Sequence, residues 1–338
     1  MRKNIFKVFS LFTLVFMAIL LVGCSRGKNF TSQIKEYEKT LTSVNLSLDI
    51  SDIAVKKADG DKITLNYYDT EEGLYDVKEE NGVLTVSRAI DGELKENIRF
   101  GLGMKKYYKV TLSVPEGYQG EITLKTVSGD ISVKDISAEN EKISISSDSG
   151  NVRAEGVSVS ALSIDGKSSE VILKRINVAE VNVVTVAGEV FISDSECAKY
   201  SVKGEAAEVD LKDVSLGQAS VILTSGEADF TNVKIGGAVT VSVTSGSVNA
   251  EGLDAGICSV TSKSGDIYLD NLWIGTAVYL VSESGDIDAF MSDPVSDFTL
   301  DAISEYGKNN LKDIVGLGGF KTLTVRNVTG DINVRFVG

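Results

Sequence analysis

A short phrase returns along this chain at a nearly constant interval: a small residue, Gly, an acidic or polar residue, then an aliphatic one. It reads Ser128-Gly129-Asp130-Ile131, Ser149-Gly150-Asn151-Val152, Ala187-Gly188-Glu189-Val190 and Ser225-Gly226-Glu227-Ala228. It continues as Ser245-Gly246-Ser247-Val248, Ser264-Gly265-Asp266-Ile267, Ser284-Gly285-Asp286-Ile287 and Thr329-Gly330-Asp331-Ile332. With Ser169 and Ala207 standing in the Gly slot of two degenerate copies, slots 129 to 285 are spaced by 19 to 21 residues. A fixed period of this size belongs to stacked repeats.

Counting from the Gly slot, positions two, four and seven are aliphatic in copy after copy: Ile131, Val133, Ile136; Val152, Ala154, Val157; Val171, Leu173, Ile176; Val209, Leu211, Val214. A second alternating pair precedes the next slot, as in Ile143 and Ile145, Leu162 and Ile164, Val181 and Val183. Period two, with β-branched and hydroxyl residues, reads as half-buried strand and excludes helix. One such repeat cannot bury its apolar row alone. Stacked as rungs ~4.8 Å apart, each strand pairs with its copies above and below and the rows close into one core. The expectation is an all-β chain, a single β-solenoid of about nine rungs with two short strands per rung, its Gly turns at positive φ.

The ends differ from the repeats. Asp52–Val55 and Ile63–Leu65 read as an opening rung, and Glu80-Asn81-Gly82 reads as a hairpin turn between strands near Tyr75–Lys78 and Val83–Ser87. Lys109–Val114 is a strand stopped by Pro115. The interval from Gly285 to Gly330 is longer than a rung and predicts a shortened rung with a surface loop around Gly316–Gly319. Residues 41–120 are therefore read as an N-terminal β cap and 121–338 as the repeats.

Residues 1–23 read as a targeting segment: Arg2, Lys3 and Lys7 precede the apolar run Val8–Val22, and Leu21-Val22-Gly23-Cys24 has the pattern of a bacterial lipobox. Cys24 is the expected lipid attachment site, tying the protein to a bacterial cell membrane, and residues 24–40 are expected to be a polar tether. Net charge is −14 and becomes −17 once the three basic leader residues are removed. That balance argues against nucleic acid as a partner and against lying flat on anionic lipid. The other cysteines, Cys197 and Cys258, lie about three rungs apart, too far for a disulfide, and Cys258 is expected in the core.

The repeats, together with the closing Gly318–Val325 that runs into Thr329–Ile332 and the approach Val110–Pro115 with Gly117, resemble the bacterial "putative adhesin" group of β-strand-repeat proteins, a domain of unknown function. The resemblance spans about residues 41–338. It implies a β-solenoid at the bacterial envelope, sometimes linked to envelope-stress systems, and brings no catalytic residue.

The chain has no His, which removes the commonest general base, proton shuttle and metal ligand. Carboxylates could still cleave a glycosidic bond if two or three converged on one cleft, but they are spread one per rung. One residue past the slot stand Asp130, Asn151, Glu170, Glu189, Glu208, Glu227, Ser247, Asp266, Asp286 and Asp331, which stacking would align along one edge. The preferred reading is turn capping. The sharper one is a weak calcium ladder with Asp266 and Asp286 as ligands. No other cofactor is expected.

A second row, Ser144, Ser146, Ser163, Ser201, Ser220, Thr240, Ser242, Ser259 and Thr261, falls on outward positions of the second strand, a candidate face for docking an envelope protein or glycan. Ile172, Phe191 and Tyr268 are expected to point outward from the first strand, and Trp273 to lie in a turn at the rung edge. The leading expectation is a non-enzymatic, lipid-anchored envelope protein with a binding or adhesive solenoid surface. The alternatives are a structural or regulatory lipoprotein partnering a membrane stress sensor, and a carbohydrate-active β-helix enzyme.

Overall fold

The computed structural model describes residues 30–71, 73–88, 107–314 and 318–337. The leader, Cys24 and Gly316-Leu317 lie outside them. The described chain forms one β-solenoid of about ten coils, each bonded to the next by parallel ladders. Ile131–Lys134 pairs with Val152–Glu155, which pairs with Val171–Lys174, each aliphatic residue lying over its copy, as Val152 over Ile131 and under Val171. All the aliphatic positions named above are buried, and they join a single core along the whole length. The cause is the period-two alternation: each inward side chain can leave water only by touching the same position one coil away.

Each coil carries the two expected strands and, between them, a third short paired segment. In the second coil this is Ser158-Val159, bonded to Ser137-Ala138 below and Asn177-Val178 above. It adds one inward side chain per coil: Ala138, Val159, Val178, Cys197, Leu216, Ile235, Ala255 and Ile274. The corner leading into it sits six residues past each slot and is left-handed: Asp135, Arg175, Asp194, Asp213, Asn232 and Asn271 have φ between 50° and 61°, and Gly156 and Gly252 hold the same place. Short polar residues and Gly tolerate that region best, so the corner selects them, with Arg175 as the exception.

The Gly slot is explained by crowding more than by φ. A Cβ at Gly150 would lie 1.8 Å from the carbonyl oxygen of Gly129, and one at Gly246 would lie 1.8 Å from that of Gly226. Positive φ holds at Gly188, Gly226, Gly246, Gly265 and Gly285, but Gly129, Gly150 and Gly330 adopt ordinary φ and are glycine for the close approach alone. A buried polar side chain three residues earlier closes the turn: Ser147 Oγ accepts from Gly150 N at 3.0 Å and donates to Gly150 O at 2.7 Å, and Thr126 and Asn327 accept from Gly129 N and Gly330 N.

The caps end the parallel stack. Ser43–Ser47 and Asp52–Lys57 make the opening coil beneath the first repeat. Ile63–Asp69 then lies antiparallel on Lys109–Val114, and Thr31–Tyr37 lies antiparallel on Ile63–Asp69. The expected tether is thus a strand from Thr31, whose Lys and Glu side chains cover an edge that would otherwise be open to pairing. The hairpin forms as expected, Asp76–Glu80 against Val83–Ser87, with Asn81 and Gly82 both at positive φ. At the far end Phe298–Ser304 takes the outermost layer. The chain then returns so that Lys321–Asn327 fills the layer beneath, against Ile267–Ser284.

Gly246→Ala is expected to lower stability by about 3–5 kcal/mol, since backbone must move, whereas Gly236→Ala, with nothing within 4 Å of its Cβ, should stay within about 0.5 kcal/mol. Urea denaturation of the two variants checks the contrast.

Candidate functional site

The register sorts the outward hydroxyl row into two columns. Thr123, Ser144, Ser163, Asn182 and Ser201 are ladder neighbours in that order. Ser220 holds the same place one coil on and pairs with Thr240, then Ser259, then Tyr279. This column is a continuous polar stripe of low charge. Ser146, Ser242 and Thr261 belong to a different column, two residues along, and there the hydroxyls are interrupted. Asp165, Val184 and Lys203 follow Ser146, and Ile222 precedes Ser242.

Beside the continuous column the coil bends, and the bend is concave. A shallow trough of about 570 Å³ runs along the axis over Ser158, Val159, Ser160, Asn177, Val178, Ala179, Glu196, Cys197, Ala198, Ser215 and Leu216. A 320 Å³ depression adjoins it on the second-strand side, lined by Glu180, Lys199, Gln218 and the stripe residues Ser201, Ser220 and Thr240. The trough exists because the residue ten past each slot is small: Ser160, Ala179, Ala198, then Gly217. These residues stand between the paired segments, as Ser160 does between Val159↔Val178 and Ala161↔Glu180. A Cβ at Gly217 would lie 2.4 Å from the carbonyl oxygen of Ala198, so the floor cannot be raised there without moving backbone.

Chemically the trough offers hydroxyls, amides, one ammonium and two carboxylates to whatever lies in it. Cys197 is in its wall, but the thiol is 5% exposed and burial pushes it up to about 12, so it packs and does not attack. Cys258, in the core, is pushed up to about 12 by the same cause, and both cysteines are free.

The acidic edge forms as a ladder, and its oxygens are used within it. Asp52 Oδ1 accepts from Asp130 N at 3.0 Å, Asp130 Oδ1 from Asn151 N at 3.0 Å, Asp266 Oδ1 from Asp286 N at 2.8 Å and Asp286 Oδ1 from Asp331 N at 2.8 Å. Each side chain therefore stands in for a ladder carbonyl at the turn. The two candidate calcium ligands, Asp266 and Asp286, are successive members of this chain. Among the described residues no three His, Cys, Asp or Glu side chains are grouped to hold a metal ion. On the first-strand face Ile172, Phe191 and Tyr268 point outward as expected. Trp273 departs from expectation: it is a strand residue paired with Asp254 and half exposed, because it occupies the outward position of the short middle segment.

If the acidic ladder caps turns, Asp286→Ala should cost about 1 kcal/mol while Asp286→Asn, which keeps the acceptor, costs little, and millimolar calcium should leave the wild-type melting temperature unmoved. Thermal melts with and without calcium decide it; a calcium-dependent rise lost in both variants would restore the metal reading.

Several solved structures align with this chain. One is described as a "putative lipid binding protein" from Parabacteroides distasonis ATCC 8503, at 15% identity over 75% of this chain and 98% of that one, with a TM-score of 0.44. A "putative adhesin" from the same organism aligns at 12% identity over 92% of this chain and 98% of its own, TM-score 0.37. Another from Bacteroides fragilis NCTC 9343 aligns at 14% over 91% and 97%, TM-score 0.27. Among curated proteins none matches. The family model for Toastrack DUF4097 matches residues 42–255 and, in a second overlapping placement, 174–335, together nearly all of the described solenoid. The chain belongs to the Toastrack DUF4097 family.

Proposed function

We propose that this protein is a non-enzymatic, extracytoplasmic binding protein, held to the bacterial cell membrane by lipid on Cys24, whose trough and hydroxyl stripe receive an extended, weakly charged polymer, a glycan chain of the envelope. The observation that carries this reading is the axial trough. Its floor of short side chains from successive coils lets a linear chain lie along the solenoid, while Ser158, Asn177, Glu196 and Ser215, one per coil, offer repeated hydrogen-bonding groups at the coil spacing. A polymer with hydroxyls at regular intervals suits such a row, with shallow contacts that add along its length. The absence of His and the inert thiol of Cys197 weigh against nucleophilic chemistry in the trough.

The membrane anchor rests on the basic start, the apolar run and the lipobox ending in Cys24. Among the described residues no helix is long and apolar enough to cross a membrane.

Two measurements test the reading separately. Cosedimentation of the purified protein with insoluble cell-wall glycan is expected to fall about tenfold in Ala179→Trp and in Ala198→Trp, with melting temperatures near wild type. Wild-type cosedimentation by both variants would remove the trough as the site. Mass spectrometry of the membrane-fraction protein is expected to find a diacylglycerol-modified Cys24, and Cys24→Ala is expected to move the protein to the soluble fraction.

A further inference from the structure

The first complete coil differs from the rest in a way that the stacking does not require. Its step is 21 residues, against 19 in the next three. The register slips within it: Ala138 lies over Val159 and Lys142 over Ala161, so three residues, 139–141, oppose the single Ser160. The bulge is pinned by its last member, since Ser160 Oγ donates to the carbonyl oxygen of Glu141 at 2.6 Å. The Glu141 side chain turns inward. It is 1% exposed, and neither carboxyl oxygen has a hydrogen-bond partner. A carboxylate so placed would have lost its water with nothing in return.

The cap supplies a second group of the same kind. Tyr118, in the turn between Lys109–Val114 and Glu121–Thr126, is fully buried with its hydroxyl unpartnered. Burial first, and the negative charge of the Glu141 carboxylate second, hold the Tyr118 phenol well above its usual range. A void of about 10 Å³ at this joint is lined by the charged residues Lys57, Glu116 and Asp135 besides Glu141. Lys57 is committed to Glu116 at 2.8 Å, both side chains largely in water, and Asp135 holds the left-handed corner. Among the described residues no cation is turned toward Glu141.

We propose that Glu141 is a proton-operated latch between the N-terminal cap and the repeats: carried as the neutral acid, it seats the bulge against the Tyr118 turn, and loss of its proton expels the side chain and loosens the joint. Burial pushes this carboxyl up to about 8 from an ordinary value of 4.5. The folded form therefore holds the proton more tightly than the unfolded chain. The stability that this proton confers is complete below the unfolded value and is lost as pH rises from about 4.5 through about 8. An envelope protein meets such changes directly.

Hydrogen exchange of the full chain in detergent, corrected for intrinsic rates and read at pH 6 and pH 9 alongside melting temperature, tests the latch. In the wild type the peptides covering 115–147 are expected to lose protection at least tenfold at pH 9 while those covering 196–225 do not, and the melting temperature is expected to fall by several degrees. Glu141→Gln should flatten both responses and melt above wild type at pH 9. Glu141→Leu, apolar and unable to ionise, provides the same reading should the amide fold poorly. Unchanged wild-type protection at 115–147, or a wild-type pH response retained in either variant, would overturn the proposal.

Discussion

Everything in this molecule follows from how closely one coil can lie on the next at the Gly turn. At each glycine of the slot, the carbonyl oxygen of the turn before occupies the space that a Cβ would need. Leaving out that one atom lets the backbone ladders continue around the corner and satisfy the main chain from coil to coil. Once the turns stack, the rest is constrained. Inward residues must meet their own kind, the αL corner must recur at a fixed offset, and any outward residue becomes one member of a column. Stability in such a stack is set by each coil and its contacts with its neighbours. A local fault such as the bulge at 139–141 is therefore tolerated without disturbing coils beyond the next.

This explains which parts were legible in the sequence. The aliphatic positions two, four and seven residues past the Gly slot, and the pair before the next slot, alternate with period two inside the longer period, and all are buried. The middle segment escaped because only one of its residues per coil points inward, and a pair such as Asn177-Val178 or Ser158-Val159 is too short to alternate. Its signal was nonetheless present in the column running from Ala138 through Val178 to Ile274. The corner was legible too, as Asp, Gly, Asn or Arg six residues past the slot, but Arg175 breaks the composition that would have announced it. Trp273 was misplaced for the same reason as the middle segment: with that segment unrecognised, a residue just past Leu272 looked like turn.

The candidate site was readable only in part, because it depends on how columns lie beside one another. The sequence groups Ser144 with Ser146 and Thr240 with Ser242, yet a strand places residues two apart in separate columns. One column stays polar across the stack, and the other alternates among charge, hydroxyl and aliphatic. The trough depends on a further property, a bend whose floor residues are small, and size alone at Ser160, Ala179, Ala198 and Gly217 does not reveal curvature until the ladders on either side are known. The acidic edge shows the converse. Turn capping was the reading its spacing favoured, and Asp266 and Asp286 each accept the N–H of the next turn, so there the acid serves as a backbone surrogate.

The two ends use the same device against a shared hazard. A stack of parallel strands leaves unpaired N–H and C=O groups at each terminus, where another chain could add. At the start the chain changes to antiparallel strands and ends the series with Thr31–Tyr37, an edge strand that carries the charged Lys35 and Glu36. At the finish Asn310 acts as a peptide group: its Oδ1 accepts from Val334 N at 3.0 Å and its Nδ2 donates to Val334 O at 2.8 Å, while Asn309 Nδ2 closes the carbonyl of Ala302 at 2.9 Å. With the ends so occupied, growth by strand addition is discouraged. The surface that the proposed binding role would use is therefore lateral, the long faces and the trough between them, where many equivalent contacts spaced by the coil would add.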